Sequence, residues 1–207
     1  MTVAAIILAA GLSRRLGRPK QLLDWGGVPL VRHSLLTAQQ SMLSAVAVVV
    51  GHQADAVRTS VADLAAPCIE NAAYASGQAS SVACGAQWFL TTSYDALMVL
   101  LCDQPLLTVD HINACIAAWQ ATRPAVLIPQ VAGQATNPVI WSATTVPLLT
   151  TLTGDQGGRV LFGAGKVVPQ FWPIDAPELL RDIDTDADYA ALRADYAHSV
   201  NYTTKTR

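Results

Sequence analysis

The chain has 207 residues, enough for one sizeable domain, which we place at residues 1–197 with a polar C-terminal tail at 198–207. It is 52% hydrophobic and only 14% charged, a balance that excludes intrinsic disorder over most of its length. The net charge of −2 argues against nucleic acids and anionic membranes as partners.

Apolar runs of strand length alternate with helical patterns along the chain. In chain order we predict a strand at Val3–Ala9, a helix at Pro29–Gln40, a strand at Ala45–Val50, a helix at Asp55–Leu64, a strand at Cys68–Glu70, a helix at Ser80–Leu90, a strand at Ala96–Leu101, a helix capped by Thr108, strands at Ala125–Ile128 and Val139–Trp141, helices at Ala143–Leu152 and Gly158–Phe162, a strand at Val167–Trp172 and a helix at Asp186–Tyr196. The strands are hydrophobic throughout rather than alternating, which indicates burial on both faces. We therefore expect an α/β fold with helices on both sides of one sheet.

The compartment is indicated by three features. No run reaches the roughly 18 consecutive apolar residues of a transmembrane helix. Basic residues follow the apolar N-terminal run instead of preceding it, the reverse of a secretion signal. The four cysteines form no CxxC pair, which predicts free thiols in a reducing environment. We expect a cytoplasmic protein with no membrane contact.

The first unusual loop follows the N-terminal strand, between Leu8 and Lys20. Its small residues and its two glycines allow the backbone to approach a ligand closely, and its N–H groups can form an anion-binding nest. Arg15 and Lys20 add full positive charges that suit a polyphosphate. The loop matches neither the Walker A pattern nor GxGxxG. The alternative is an exposed basic loop that serves solubility alone.

Acidic residues stand at two further loops. Asp103 directly follows an apolar strand, where a carboxylate can hold Mg²⁺, although it can also be a simple turn residue. Asp182 and Asp184 precede the last helix on an extended stretch, so their side chains are expected to share one face. Asp186 and Asp188 are explained by capping of that helix.

These loops resemble the signatures of one family, the nucleotidyltransferases with a MobA-like NTP transferase fold. The first loop fits L-A-[AG]-G-x-S-x-R-x-G-x-x-K, Asp103–Pro105 fits D-Q-P, and 182–189 is similar to D-I-D-T-P-E-D-L with Asp186 and Ala187 in place of Pro and Glu. Asn71–Ser81 resembles N-x-x-[YW]-x-x-G-x-x-x-S before a helix, although a flexible loop with a serine cap is the alternative. Gly154–Arg159 resembles G-D-x-G-x-R, and Gly133–Pro138 resembles G-x-x-x-[HN]-P with Asn137 where many relatives carry His.

The resemblance implies a three-layer α/β/α, Rossmann-like nucleotidyltransferase fold with a mostly parallel mixed sheet. It implies nucleotide contacts at Leu8, Ala9, Ala10, Gly11, Ser13, Arg15, Gly17, Lys20, Gly77, Ser80, Ser81 and Asp103. It implies acceptor contacts at Asn137, Pro138, Asp155, Gly157 and Arg159. Catalytic roles fall on Lys20, Arg15 and Asp103, and a metal site for Mg²⁺ or Mn²⁺ falls on Asp103 and Asp184.

Within the superfamily, Ala10 and the D-Q-P triplet resemble the molybdenum cofactor cytidylyltransferase (MocA-like) branch. That branch implies CTP and a molybdenum-bearing molybdopterin as substrates, with transient contact to a molybdenum hydroxylase. Two alternatives stay open. One is a nucleotidyltransferase of the same fold that transfers a guanylyl group to molybdopterin or acts on a sugar or alditol phosphate. The other is a non-catalytic chaperone that delivers the cofactor to a hydroxylase.

Overall fold

The computed structural model describes residues 1–154 and 157–204, and for residues 197–204 it describes the backbone alone. Its helices are α1 (Leu30–Gln39), α2 (Ala54–Ser60), α3 (Gln78–Phe89), α4 (Val109–Thr122), α5 (Val146–Leu149), α6 (Arg159–Gly163) and α7 (Asp186–Thr204). Its strands are β1 (Val3–Ala9), β2 (Asp24–Trp25), β3 (Val28–Pro29), β4 (Ala45–Val50), β5 (Cys68–Glu70), β6 (Ala96–Leu101), β7 (Val126–Val131), β8 (Gln134–Ala135), β9 (Val139–Ser142) and β10 (Pro169–Pro173). Short 3₁₀ turns occupy Lys20–Leu22, Tyr74–Ser76 and Pro177–Leu180.

Eight of the strands in the described ranges form one sheet in the order β10-β7-β9-β6-β1-β4-β5, with β8 paired to β7. Strands β4, β1, β6 and β5 run in one direction, because β1 pairs in parallel with β4 and β6, and β4 in parallel with β5. Strand β9 is antiparallel to both β6 and β7. The sheet is therefore mixed and mostly parallel, as predicted.

The two faces of the sheet carry separate apolar cores. Alternate residues of β1 divide between them: Ile7 packs on one face with residues of α1, α2 and α4, and Ile6 packs on the other with residues of α3 and α5. This alternation of side chains along a strand explains why every residue of β1 is buried. The predicted three-layer α/β/α architecture is confirmed.

A third, smaller core anchors the first loop. Leu16 of that loop is buried with Trp25 of the β2–β3 hairpin and with Ile183 and Leu192 from the C-terminal region. The loop from β1 is thus held against the segment that carries Asp182 and Asp184. None of the described helices combines the length and the apolar character needed to cross a lipid bilayer.

Several predicted element boundaries differ from the structure. Helix α2 ends at Ser60 rather than Leu64, because Val61 leaves the helical region with φ −124° and ψ 11°. The predicted helix at Ala143–Leu152 is a single turn at Val146–Leu149. Helix α7 continues to Thr204, past the expected end at Tyr196, since neither glycine nor proline interrupts 186–204. The rest of the predicted polar tail, residues 205–207, lies outside the described residues.

Candidate active site

The carboxyl ends of β1, β4, β5 and β6 meet at one edge of the sheet, where ligands bind in open α/β folds. A cavity of about 500 Å³ opens there between the first loop, the 74–78 segment and the carboxylates that follow β6 and precede α7. Of the predicted nucleotide-binding residues, its walls contain Leu8, Ala10, Gly11, Ser13, Arg15, Lys20, Gly77, Ser81 and Asp103.

Three predicted nucleotide-binding residues do not line this cavity. The side chain of Ala9 packs into the core on the opposite face of the sheet from Leu8 and Ala10. Gly17 has φ +71° and shapes the turn of the loop. The Ser80 hydroxyl donates to the carbonyl oxygens of Ala73 and Gly77, so it fixes the start of α3.

Hydrogen bonds within the first loop converge on Ser13. The backbone nitrogens of Leu16 and Gly17 donate to its carbonyl oxygen at 3.1 and 3.0 Å. The backbone nitrogen of Lys20 donates to its hydroxyl oxygen at 3.0 Å. Ser13 itself has a positive φ of 52°. The serine thus folds the loop so that Arg15 and Lys20 both line the cavity.

The carboxylates of Asp103, Asp182 and Asp184 form a cluster whose nearest oxygen atoms lie within 4.8 Å of one another. The Lys20 ammonium lies against it, 2.5 Å from Asp103 Oδ2 and 3.2 Å from Asp184 Oδ1. Arg15 contacts Asp184 Oδ2 at 2.7 Å. The predicted metal site contained Asp103 and Asp184 only. Asp182 was expected to share a face with Asp184 but had no predicted role, and the structure adds it to the cluster.

The donor set of this cluster suits a divalent cation. Carboxylate oxygens are the ligands that Mg²⁺ and Mn²⁺ prefer. Asp103 Oδ1 is buried and has no hydrogen-bond partner in the described structure, so one ligand atom remains unused. Asp103 and Asp184, with Asp182 beside them, are therefore the residues that can hold such an ion.

The pKa values of Lys20 and Asp182 are both raised in this group of side chains. Burial lowers the pKa of the Lys20 ammonium, but the adjacent Asp103 carboxylate outweighs burial and raises that pKa above its ordinary value. Burial raises the pKa of the Asp182 carboxyl, and the like charges of Asp103 and Asp184 raise it further. Added positive charge therefore stabilises this group of side chains.

Another part of the cavity wall, formed by Tyr74 and Ala10, packs closely against Gly51. A Cβ atom placed on Gly51 would lie 2.6 Å from Tyr74 Cβ and 2.9 Å from Ala10 Cβ, so only glycine fits. Ala10 is 2% exposed, and its methyl group packs toward Gly51. Asn71 supports the same wall by donating to the hydroxyls of Ser80 and Ser81 at 2.8 and 3.0 Å.

Gln21 is a residue of the cavity wall that the motif pattern does not single out. It is 1% exposed, and its side-chain nitrogen donates to the carbonyl oxygen of His52 at 3.1 Å. It therefore ties the 3₁₀ turn that follows the first loop to the end of β4. The sequence shows that Gln21 follows Lys20, but it does not show that Gln21 contacts His52, 31 residues away.

A second cavity of about 580 Å³ adjoins the first, and Leu8, Gln78 and Leu101 line both. Of the predicted acceptor residues, Asn137, Gly157 and Arg159 line this second cavity. Its apolar walls include Trp141 and Phe162, whose rings stack with centroids 5.6 Å apart. Pro138 is buried and does not line it. Asp155, the remaining predicted acceptor residue, lies outside the described residues.

The sheet has helices on both faces and carries at one edge a basic glycine-containing loop, a carboxylate cluster and two adjoining cavities. This arrangement is the framework of a nucleotidyltransferase. The MobA-like NTP transferase domain model matches residues 5–168, and the chain belongs to this family.

Relatives and solved structures agree with this assignment. Purine catabolism protein PucB of Bacillus subtilis (strain 168) is 33% identical over 200 residues, covering 91% of this chain and 94% of its own length. Molybdenum cofactor guanylyltransferase of Rhodobacter capsulatus is 28% identical over 193 residues, covering 92% of this chain and 94% of its own length. The crystal structure of the Mycobacterium tuberculosis Rv0371c homolog from Mycobacterium sp. strain JC1 superposes with a TM-score of 0.81 at 27% identity, covering 95% of this chain and 97% of that one.

Proposed function

We propose that this nucleotidyltransferase transfers CMP from CTP to the phosphate of molybdenum-bearing molybdopterin, with Mg²⁺ or Mn²⁺ as cofactor and pyrophosphate as the second product. The observation that carries the proposal is the convergence of Lys20, Arg15 and the three carboxylates in a cavity that adjoins a second one. The first cavity accommodates the nucleotide and the second the acceptor.

The reaction needs few groups from the protein. A phosphate oxygen of the acceptor attacks the α-phosphorus of the nucleotide in line, the bond between that phosphorus and its bridging oxygen breaks, and pyrophosphate leaves. The attacking phosphate is already an anion, so no strong general base is required. A divalent ion, when bound, supplies charge neutralisation for the phosphates. Lys20 and Arg15 bind the triphosphate, and the backbone of the first loop orients it.

The acceptor cavity suits a molecule with a flat apolar body and one anionic group. Phe162 offers aromatic surface and stacks with the buried ring of Trp141, and Arg159 is the guanidinium that lines the cavity. The similarity to the molybdenum cofactor guanylyltransferase of Rhodobacter capsulatus supports a molybdopterin-type acceptor. Delivery of the product by transient contact with a molybdenum hydroxylase in the cytoplasm completes the proposal.

The same relative favours guanylyl transfer as a second candidate. The preference for CTP rests on the resemblance carried by Ala10 and the D-Q-P triplet. Ala10 lines the first cavity, and its methyl group packs toward Gly51.

A panel of substrates separates these candidates. Pyrophosphate release is measured with Mg²⁺ for CTP, GTP, ATP and UTP, each against molybdenum-bearing molybdopterin, bare molybdopterin and sugar phosphates. Release with CTP and a molybdopterin acceptor supports the proposal. Release with GTP supports the second candidate. Release only with sugar phosphates overturns the acceptor assignment, and nucleotide binding without release from any acceptor points to a delivery chaperone.

A further inference from the structure

Gln104, the middle residue of the D-Q-P triplet, is buried although it stands in the loop that follows β6. It is 7% exposed, and its side-chain nitrogen donates to the carbonyl oxygen of Leu179 at 3.1 Å. Thr136, also 7% exposed, donates its hydroxyl to the same carbonyl oxygen at 2.6 Å. One backbone oxygen therefore receives two side chains that lie 32 residues apart in the sequence.

The three partners belong to three different parts of the site. Gln104 adjoins Asp103 of the carboxylate cluster. Thr136 adjoins Asn137, and both line the second cavity. Leu179 belongs to the 3₁₀ turn at Pro177–Leu180, which leads directly into the segment that carries Asp182 and Asp184. A further hydrogen bond, from Ile183 N to the Asp103 carbonyl oxygen at 2.9 Å, closes the connection back to β6.

We propose that Gln104 is a positioning residue that couples the acceptor cavity to the carboxylate cluster through the Leu179 carbonyl. The inference rests on the proposed function, in which the two cavities hold nucleotide and acceptor. In-line transfer requires the attacking phosphate to lie within a fraction of an ångström of its reactive position. The shared carbonyl holds the acceptor loop and the carboxylate segment in one geometry.

The hydrogen bonding of Gln104 indicates that fold stability is not its main contribution. Its side-chain oxygen is buried without a partner in the described structure, which costs stability. Replacement by methionine, which is similar in size and has no polar hydrogen, removes that unpaired oxygen. Thr136 still donates to Leu179 in that variant, so no carbonyl oxygen is left unpaired. Gln104→Met should therefore retain the thermal stability of the wild type.

The test compares Gln104→Met, Thr136→Val and the double variant with two matched controls. Gln120→Met removes an amide that donates to the Met1 carbonyl oxygen, and Thr145→Val removes a hydroxyl that donates to the Ala125 carbonyl oxygen. Neither residue lines either cavity. We expect Gln104→Met and Thr136→Val each to lower kcat by about three- to tenfold, which is the effect of one misplaced hydrogen bond. The Kd for the nucleotide should stay unchanged in both variants. The controls should retain kcat.

The double variant measures the coupling. We expect its loss of kcat to exceed the product of the two single losses, because only then is the Leu179 carbonyl released from both side chains. Equal kcat in Gln104→Met and wild type overturns the proposal. A loss of kcat that is matched by Gln120→Met, or that is accompanied by an equal loss of thermal stability, also overturns it.

Hydrogen exchange tests the coupling without any substrate. In the metal-free protein, Gln104→Met should speed exchange both in peptides covering 133–138 and in peptides covering 181–184, with the remaining peptides unchanged. Faster exchange in neither segment, or in only one of them, contradicts the coupling. If the wild type releases no pyrophosphate with any acceptor, the proposed function fails, and hydrogen exchange alone then decides the role of Gln104.

Discussion

Replacing Gly51 with alanine tests how tightly the first cavity, the proposed nucleotide site, is built. The added Cβ would lie 2.6 and 2.8 Å from Tyr74 Cβ and Cγ and 2.9 Å from Ala10 Cβ, all about half an ångström or more inside ordinary contact. Overpacking of this kind costs about 1–3 kcal/mol. The strain is relieved when Tyr74 and Ala10 separate, and both residues line the cavity. If the nucleotide needs the original spacing, its binding restores the strain, and its Kd rises between about fivefold and 150-fold.

Isothermal titration calorimetry with the preferred nucleotide measures this effect. Gly85→Ala is a control, because its added Cβ would meet Ile6 Cδ1 within the core and Gly85 does not line the cavity. Gly51→Ala should lose thermal stability and nucleotide affinity, whereas Gly85→Ala should retain its nucleotide affinity. Equal affinities in the two variants would refute the reasoning, since Gly51 would then matter for packing alone.

Three further substitutions probe separate parts of the molecule. Lys20→Met removes the ammonium from the carboxylate cluster, so Mn²⁺ should raise its melting temperature by more than that of the wild type; equal Mn²⁺ shifts would contradict the cluster as the metal site. Arg159→Met should raise the KM of the acceptor about tenfold and leave the Kd of the nucleotide unchanged, and steady-state kinetics with calorimetry separates the two constants. Burial lowers the pKa of His33, so its contribution to stability is present above its ordinary pKa of 6.5 and is lost as the pH falls through the folded-state value. Between pH 8 and pH 5, the melting temperature of the wild type should therefore fall more steeply than that of His33→Gln. An equal dependence of the two melting temperatures on pH would argue against this assignment.

The fold and the basic loop were predictable because their signals are local. Uniformly apolar strands indicated burial on both faces, and the spacing of Gly11, Arg15 and Lys20 predicted a basic loop that lines a ligand site at the end of the first strand. The place of β9 between β6 and β7, antiparallel to both, was not predicted, because strand direction depends on pairing partners far along the chain. The β2–β3 hairpin was also missed, since two-residue strands leave no periodic pattern.

Other parts of the site depend on contacts between distant residues. Asp182 joins the carboxylates only because the 3₁₀ turn at Pro177–Leu180 returns the chain beside Asp103, 79 residues earlier. Gln104 contacts Leu179, 75 residues away, and nothing in the local sequence marks that pair. The close approach of Gly51 to Tyr74 and Ala10 likewise joins segments that a linear motif does not connect.

The proposed function requires nucleotidyl transfer to occur at the cluster of Asp103, Asp182 and Asp184. The most direct measurement is the rate of Mg²⁺-dependent pyrophosphate release by Asp103→Ala, together with its melting temperature and its nucleotide Kd. We predict that turnover is lost while the protein remains folded and still binds the nucleotide. Retention of metal-dependent release by a folded Asp103→Ala variant would contradict the claim, because the carboxylates would then be dispensable for the chemistry.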